Sequence, residues 1–227
     1  MWLLHSSIGR KLIMSITGIA LVLLLLFHLS MNVAAVFSAD AYNAICAFLG
    51  ANWYAVVATG VLGALVVLHF AYATMLTLQN RKARGKDRYT ITVCPKEVSW
   101  ASQNMFVLGS IVCGFLLLHF WQFWRRMMFA ELTGCHDIMI NGSMVSPQDG
   151  YAFICYYFSQ LWVVIAYLAW YVALWFHLTH GVWSAFQSIG LSNHIWIKRW
   201  KWIGNIVATA ILLGFACVTI VFYIKSL

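Results

Sequence analysis

The stretch GIALVLLLLFHLSMNVAAVF, residues 18–37, decides the fold. A helix of that length, rising ~1.5 Å per residue, is as long as the hydrocarbon core of a bilayer is thick. The stretch carries no Asp, Glu, Lys or Arg, yet it holds His28 and Asn32. Arg10 and Lys11 precede it, and Phe37-Ser38-Ala39 weakly resembles a signal cleavage site. The apolar run is too long for a signal-peptide core, and His28 and Asn32 fit one poorly, so a retained helix is expected.

Four further runs repeat the pattern. The spans are expected at roughly 12–37, 53–78, 103–124, 153–187 and 202–224. Of 227 residues, 63% are hydrophobic and 9% charged, with a mean hydropathy of +0.82. A soluble domain carries about 25% charged residues. Period-two alternation is missing, which argues against a barrel and leaves the helix bundle. The expectation is an all-α integral membrane bundle of five helices, with residues 1–227 forming one transmembrane domain. No soluble catalytic head is expected within these residues, so any such head would be another polypeptide.

The cations set the expected orientation. Arg10 and Lys11 flank the first run, Arg81, Lys82, Arg84, Lys86, Arg88 and Lys96 follow the second, and Lys198, Arg199 and Lys201 precede the fifth. The other side receives Arg125, Arg126 and Lys225. The asymmetry puts the N-terminus, the 80–100 loop and the 191–201 loop in the cytoplasm and the C-terminus outside. The net charge of +8 therefore reads as a membrane signature before a nucleic-acid one. Pro95 and Pro147 both fall in expected loops.

The chemistry lies in the histidines. His5, His136 and His194 fall near helix ends or in loops, where a solvated imidazole is ordinary. His28, His69, His119, His177 and His180 fall inside the runs, where an ionisable side chain is a functional-site candidate by default. For any single one, a hydrogen-bonded interior histidine is an equal reading. Depth sharpens the case. His28 lies roughly 25 Å past Lys11 and His119 about 9 Å before Arg125, both toward the outer side. His69 comes roughly 18 Å before Arg81 and His180 about 15 Å before Gly190, both nearer the cytoplasm. Two layers of two imidazoles suit two bis-histidine haems, a ligation that leaves iron no open position and favours electron transfer. No C-x-x-C-H motif supports covalent attachment, since Gly134-Cys135-His136 lacks the first cysteine. A zinc site would gather its ligands at one depth.

His177 and His180 are i and i+3 on one helix and can share a face. Gly181 follows His180 and would let a flat macrocycle approach the backbone. That favours His180 as the ligand and leaves His177 to hydrogen-bond a partner or a propionate, or to be satisfied in the core.

With these residues in view, the chain resembles the di-haem cytochrome b membrane subunit of succinate:menaquinone oxidoreductases and quinol:fumarate reductases. The likeness covers nearly the whole chain. It rests on SSIGRKLIMSITG (6–18), FSADAYNAI (37–45), LHFWQFW (118–124), SPQDGYAF (146–153) and HGVWSAFQSIGLSN (180–193). The resemblance implies axial ligands at His28 and His119 for an outer haem and at His69 and His180 for an inner one. It also implies a flavoprotein and an iron–sulfur partner on the cytoplasmic face, menaquinone as electron-transfer substrate, and the bacterial inner membrane as location. A dimer of heterotrimers is one assembly it allows. Arg10, Lys11, Ser15 and Ser102 stand where they could hold inner-haem propionates, or simply anchor helix ends. Asp40 is offered as a quinone-site proton relay with Tyr42 and Asn43 beside it. The alternative for Asp40 is an N-terminal cap of a short loop helix. The glutamate that some relatives carry two residues before the helix-four histidine is Leu178 here, so a proton path of that kind is not expected.

Two other readings compete. A di-haem quinone cytochrome of a hydrogenase or formate dehydrogenase keeps the haems and changes the partner. A transporter or channel with a histidine proton path predicts a colourless protein, but the paired half-helix breaks of such folds are missing. Tryptophans and tyrosines crowd the run ends as interfacial anchors. Cys135 and Cys155 fall on the outer side and could pair there. Cys46, Cys94, Cys113 and Cys217 lack metal spacing and read as apolar filler. Gly60, Gly63, Gly109 and Gly114 are expected to permit close helix or porphyrin packing.

Overall fold

A computed structural model describes residues 6–84 and 99–227. His5, Lys86, Arg88, Cys94, Pro95 and Lys96 lie outside the described residues. The five expected spans are present as five helices long and apolar enough to cross a membrane, and the chain is an all-α membrane bundle.

Local chemistry sets the helix ends. Helix α1 (Ser7–Phe37) begins five residues before the expected start, because the Ser6 hydroxyl accepts the Gly9 N–H at 3.0 Å and caps it. At Ser38 the backbone turns extended, and its hydroxyl then caps the short helix α2 (Ala39–Phe48) by accepting the Ala41 N–H at 3.2 Å. Helix α3 (Trp53–Arg84) outruns its expected end. A single turn, α4 (Trp100–Gln103), leads to α5 (Met105–His119), which continues as a π-helical segment (Phe120–Phe129) into α6 (Ala130–Leu132). The third span therefore ends near Leu132 rather than at 124.

A two-stranded hairpin follows, β1 (Ile138–Ile140) with β2 (Ser143–Val145), pairing Ile138 with Val145 and Ile140 with Ser143. Its turn residues Asn141 and Gly142 have φ of 49° and 80°, the left-handed pair that matches strand twist.

The expected run 153–187 is two helices, α7 (Gly150–Phe158) and α8 (Leu161–Ser188). Gln160 divides them. Its backbone is extended, its Nε2 donates to the Tyr156 carbonyl at 3.1 Å, and its Oε1 accepts the Trp162 indole N–H at 3.0 Å. One carboxamide thus closes α7 and pins the entry of α8. Helix α9 (Trp196–Lys225) starts ahead of its expected bound, because Asn193 Oδ1 accepts the N–H groups of Ile195 and Trp196 at 3.0 and 2.9 Å. Lys198, Arg199 and Lys201, expected in a loop, consequently ride on the first turns of α9. The Arg199 guanidinium lies 5.0 Å from the Trp196 ring and the Lys201 ammonium 4.9 Å from that of Trp183.

Helices α8 and α9 form the packed centre with α1 and α7 against them. Phe153, Ile154, Val163, Ile211 and Phe222 are fully buried there. Tyr171 and Thr219 hydroxyls meet at 3.0 Å, and the Trp175 indole donates to Thr209 at 2.9 Å. In the apolar windows, 44% of α8 is buried and 6% of α3, so α3 lies at the periphery.

Candidate functional site

Two histidine pairs face one another inside the bundle. His28 on α1 and His119 at the end of α5 have ring centroids 5.7 Å apart. His69 on α3 and His177 on α8 are 6.4 Å apart. Thr17 meets His69 at 3.0 Å and precedes His28 by eleven positions on α1, so the pairs are about 16 Å apart along the axis. The two-layer arrangement expected from depth is therefore present, with one change of member.

The ring opposite His69 belongs to His177. His180 turns its ring toward Trp183, with centroids 5.0 Å apart. The sequence preference for His180 is revised on this geometry. Gly181, its stated support, has the Met105 methyl 3.7 Å from where a Cβ would stand, an ordinary helix contact. The glycines that approach the histidines are others. A Cβ on Gly18 would lie 3.3 Å from His69 Cε1, and one on Gly109 3.3 Å from His177 Cε1. Each glycine makes room for one imidazole of the pair. Gly60, Gly63 and Gly114 have nothing within 4 Å of a built Cβ, so the expected close helix approach is not made at them.

The donor set tests what such pairs could hold. Among the described residues no three or more His, Cys, Asp or Glu side chains gather as for a bare metal ion. Two imidazoles alone are too few for an ion, but they suffice for a metal whose other donors come from a macrocycle. Metal–nitrogen bonds of roughly 2 Å on each side would put two axial ring centroids about 6 Å apart, as both pairs have them. Buried polar atoms without partners cluster nearby. Three of the five among the described residues are His177 Nδ1, His180 Nδ1 and the indole nitrogen of Trp170, whose ring centroid is 6.0 Å from that of His119. A group with its own hydrogen-bond acceptors would satisfy them. On these observations a bis-histidine haem fits both pairs.

No protein-family model, no curated protein and no solved structure matches the chain.

The remaining candidates sort by position. Arg10 donates to Gln79 on α3 at 2.8 Å, and Lys11 is exposed. The buried Ser15 returns its hydroxyl to the Lys11 carbonyl at 2.9 Å. Ser102 offers its backbone N–H to the Ser99 hydroxyl at 3.2 Å. Asp40 is exposed in the first turn of α2, and the cap it was a candidate for is made by Ser38. Tyr42 is buried and donates to Asn32 Oδ1 at 3.4 Å, while Asn32 Nδ2 donates to the His28 carbonyl at 2.8 Å. Asn43 joins α2 to α7: its Nδ2 donates to Asp149 at 2.8 Å and its Oδ1 accepts the Tyr151 N–H at 2.9 Å. Phe27, Met31, Ala44, Ile45, Phe48 and Leu49 line an open apolar groove of about 330 Å³ between α1 and α2. Cys135 and Cys155, the candidate pair, are both free thiols.

Sequence reasoning missed Thr17, Gly18, Gln122 and Tyr167. Buried hydroxyls and amides within an apolar run were the available signal.

Proposed function

We propose that this chain is the membrane-anchor cytochrome b subunit of a succinate:quinone oxidoreductase, with His28 and His119 holding one b haem and His69 and His177 the other. The observation that carries the reading is the pair of facing imidazoles at each of two depths. Bound there, the porphyrin irons would supply one-electron transfer between an iron–sulfur partner and menaquinone.

The chain's own residues would do the rest. Four histidines on four helices fix both ring positions, so the two groups keep a constant separation across the bilayer. The cation-rich end, with Arg81, Lys82, Lys198, Arg199 and Lys201, would face the cytoplasm and dock an acidic partner surface. At the opposite end, the groove beside Phe27 and Met31 suits an isoprenoid chain, and exposed Asp40 stands where a carboxylate could exchange protons with the headgroup. The assignment to the succinate and fumarate complexes rests on the motif resemblance, and location in a bacterial inner membrane follows from it.

The test is a reduced-minus-oxidised spectrum with haem quantitation on the complex purified from its native membrane. Two low-spin b haems per chain, with a flavoprotein and an iron–sulfur protein copurifying, are expected. A colourless preparation would sink the reading, and nickel or molybdenum in the partner would move it to another di-haem cytochrome. His177→Ala should remove one haem spectrum, whereas His180→Ala should leave both.

A further inference from the structure

Each histidine pair has one ring tied to a hydroxyl and one ring that is not. His119 Nδ1 lies 3.3 Å from the Tyr167 hydroxyl, and that hydroxyl donates to Gln122 Oε1 at 2.8 Å. Tyr167 and Gln122 are each 3% exposed. A phenol has one proton, and Tyr167 has committed it to Gln122. Toward His119 it can act as acceptor alone.

The same logic recurs at the other pair. The Thr17 hydroxyl donates within its own helix, to the Ile13 carbonyl at 2.8 Å with that of Met14 at 3.1 Å, and His69 Nδ1 lies 3.0 Å from its oxygen. With its proton spent inside the helix, Thr17 accepts from His69. With these proton placements both rings carry Nδ1–H, which leaves Nε2 as the free lone pair. Across each pair the partner ring is unconstrained. His177 Nδ1 has no partner, and His28 makes no side-chain hydrogen bond among the described residues. The two hydroxyls also share a structural role. Thr17 on α1 reaches α3, and Tyr167 on α8 reaches α5, so each ties two helices together.

We infer that Thr17 and the Tyr167–Gln122 relay are positioning residues, fixing Nε2 of His69 and His119 as the ligating nitrogen and holding each iron's reduction potential down separately. This rests on the two-haem reading above. An N–H that donates to an oxygen makes the opposite ring nitrogen more basic, and a more basic ligand favours the oxidised metal. The two potentials are thereby set by different helices through different hydroxyls.

The experiment is a redox titration of the two haem bands in the purified complex, comparing the parent with Tyr167→Phe, Thr17→Val and Thr17→Ser. Tyr167→Phe should move one midpoint to more positive values and leave the other. Thr17→Val should move the other one, and Thr17→Ser should restore it. Loss of a single haem in its own variant also upholds the relay. Midpoints that stay unchanged, or that move together, overturn it. If Tyr167→Phe fails to assemble, the Thr17 pair decides. If the parent holds no haem, the underlying reading falls and the potential claim falls with it, and nitrogen NMR of the ring tautomers decides the positioning of Nε2 alone. Nδ1–H at His69 and His119 sustains it, and Nε2–H ends it.

Discussion

His177 and His180 are three positions apart on α8, and a three-residue step leaves two side chains about 60° apart around the axis. Both can turn inward, so spacing could not choose between them; Gly109, on α5, makes the choice by leaving space for His177. Gly18→Val should therefore displace His69 and, on the proposed two-haem reading, cost one haem while sparing the other, a difference visible in the same spectra. Gly109→Val should do likewise through His177. Cysteine chemistry gives an independent check at this scale. Burial pushes the Cys46 thiol up to about 11, so below that pH the group stays a neutral thiol and is a poor nucleophile. Cys135 is exposed. Maleimide labelling at pH 7.5 followed by mass spectrometry should modify Cys135 within minutes and leave Cys46 intact until the chain is denatured.

At the scale of elements, hydropathy found every span and misjudged about half of their ends. The ends depend on single polar side chains, Ser6, Ser38, Gln160 and Asn193, which a windowed average dilutes. The break at Gln160 was hidden because both α7 and α8 are apolar, and nothing in GYAFICYYFSQLWVV demands an interruption. The hairpin was legible in principle, since Asn141-Gly142 between alternating residues is a strong turn signal. The π-helical segment after His119 had no such marker. Helix α7 is held against α2 through Gly150, where an added Cβ would meet Cys46 Sγ, the Met127 methyl and the Tyr42 ring. Gly150→Ala should overpack this joint and destabilise the protein by about 1–3 kcal/mol. Thermal denaturation in a mild detergent should register it as a lowered Tm. The Asn43–Asp149 bond crosses the same joint, so Asn43→Ala should weaken it in the same assay.

For the whole molecule, length and composition sufficed for the class, and depth arithmetic sufficed for two histidine layers. Neither could supply the partner of His69 or the hydroxyls behind the rings, which depend on how five helices rotate against one another. The uneven burial of those helices has a practical corollary. Helix α3 rests mainly on α1 and offers the rest of its perimeter to the surrounding solvent, so the amphiphile chosen for extraction acts on it first. Increasingly aggressive surfactants should loosen residues 53–83 ahead of α8 and α9, and amide deuteration should record that order. His69 travels with α3. The paired rings of α1 and α5 would outlast the pair that α3 completes, and on the proposed two-haem reading a half-bleached intermediate would be the visible sign of solubilisation carried too far.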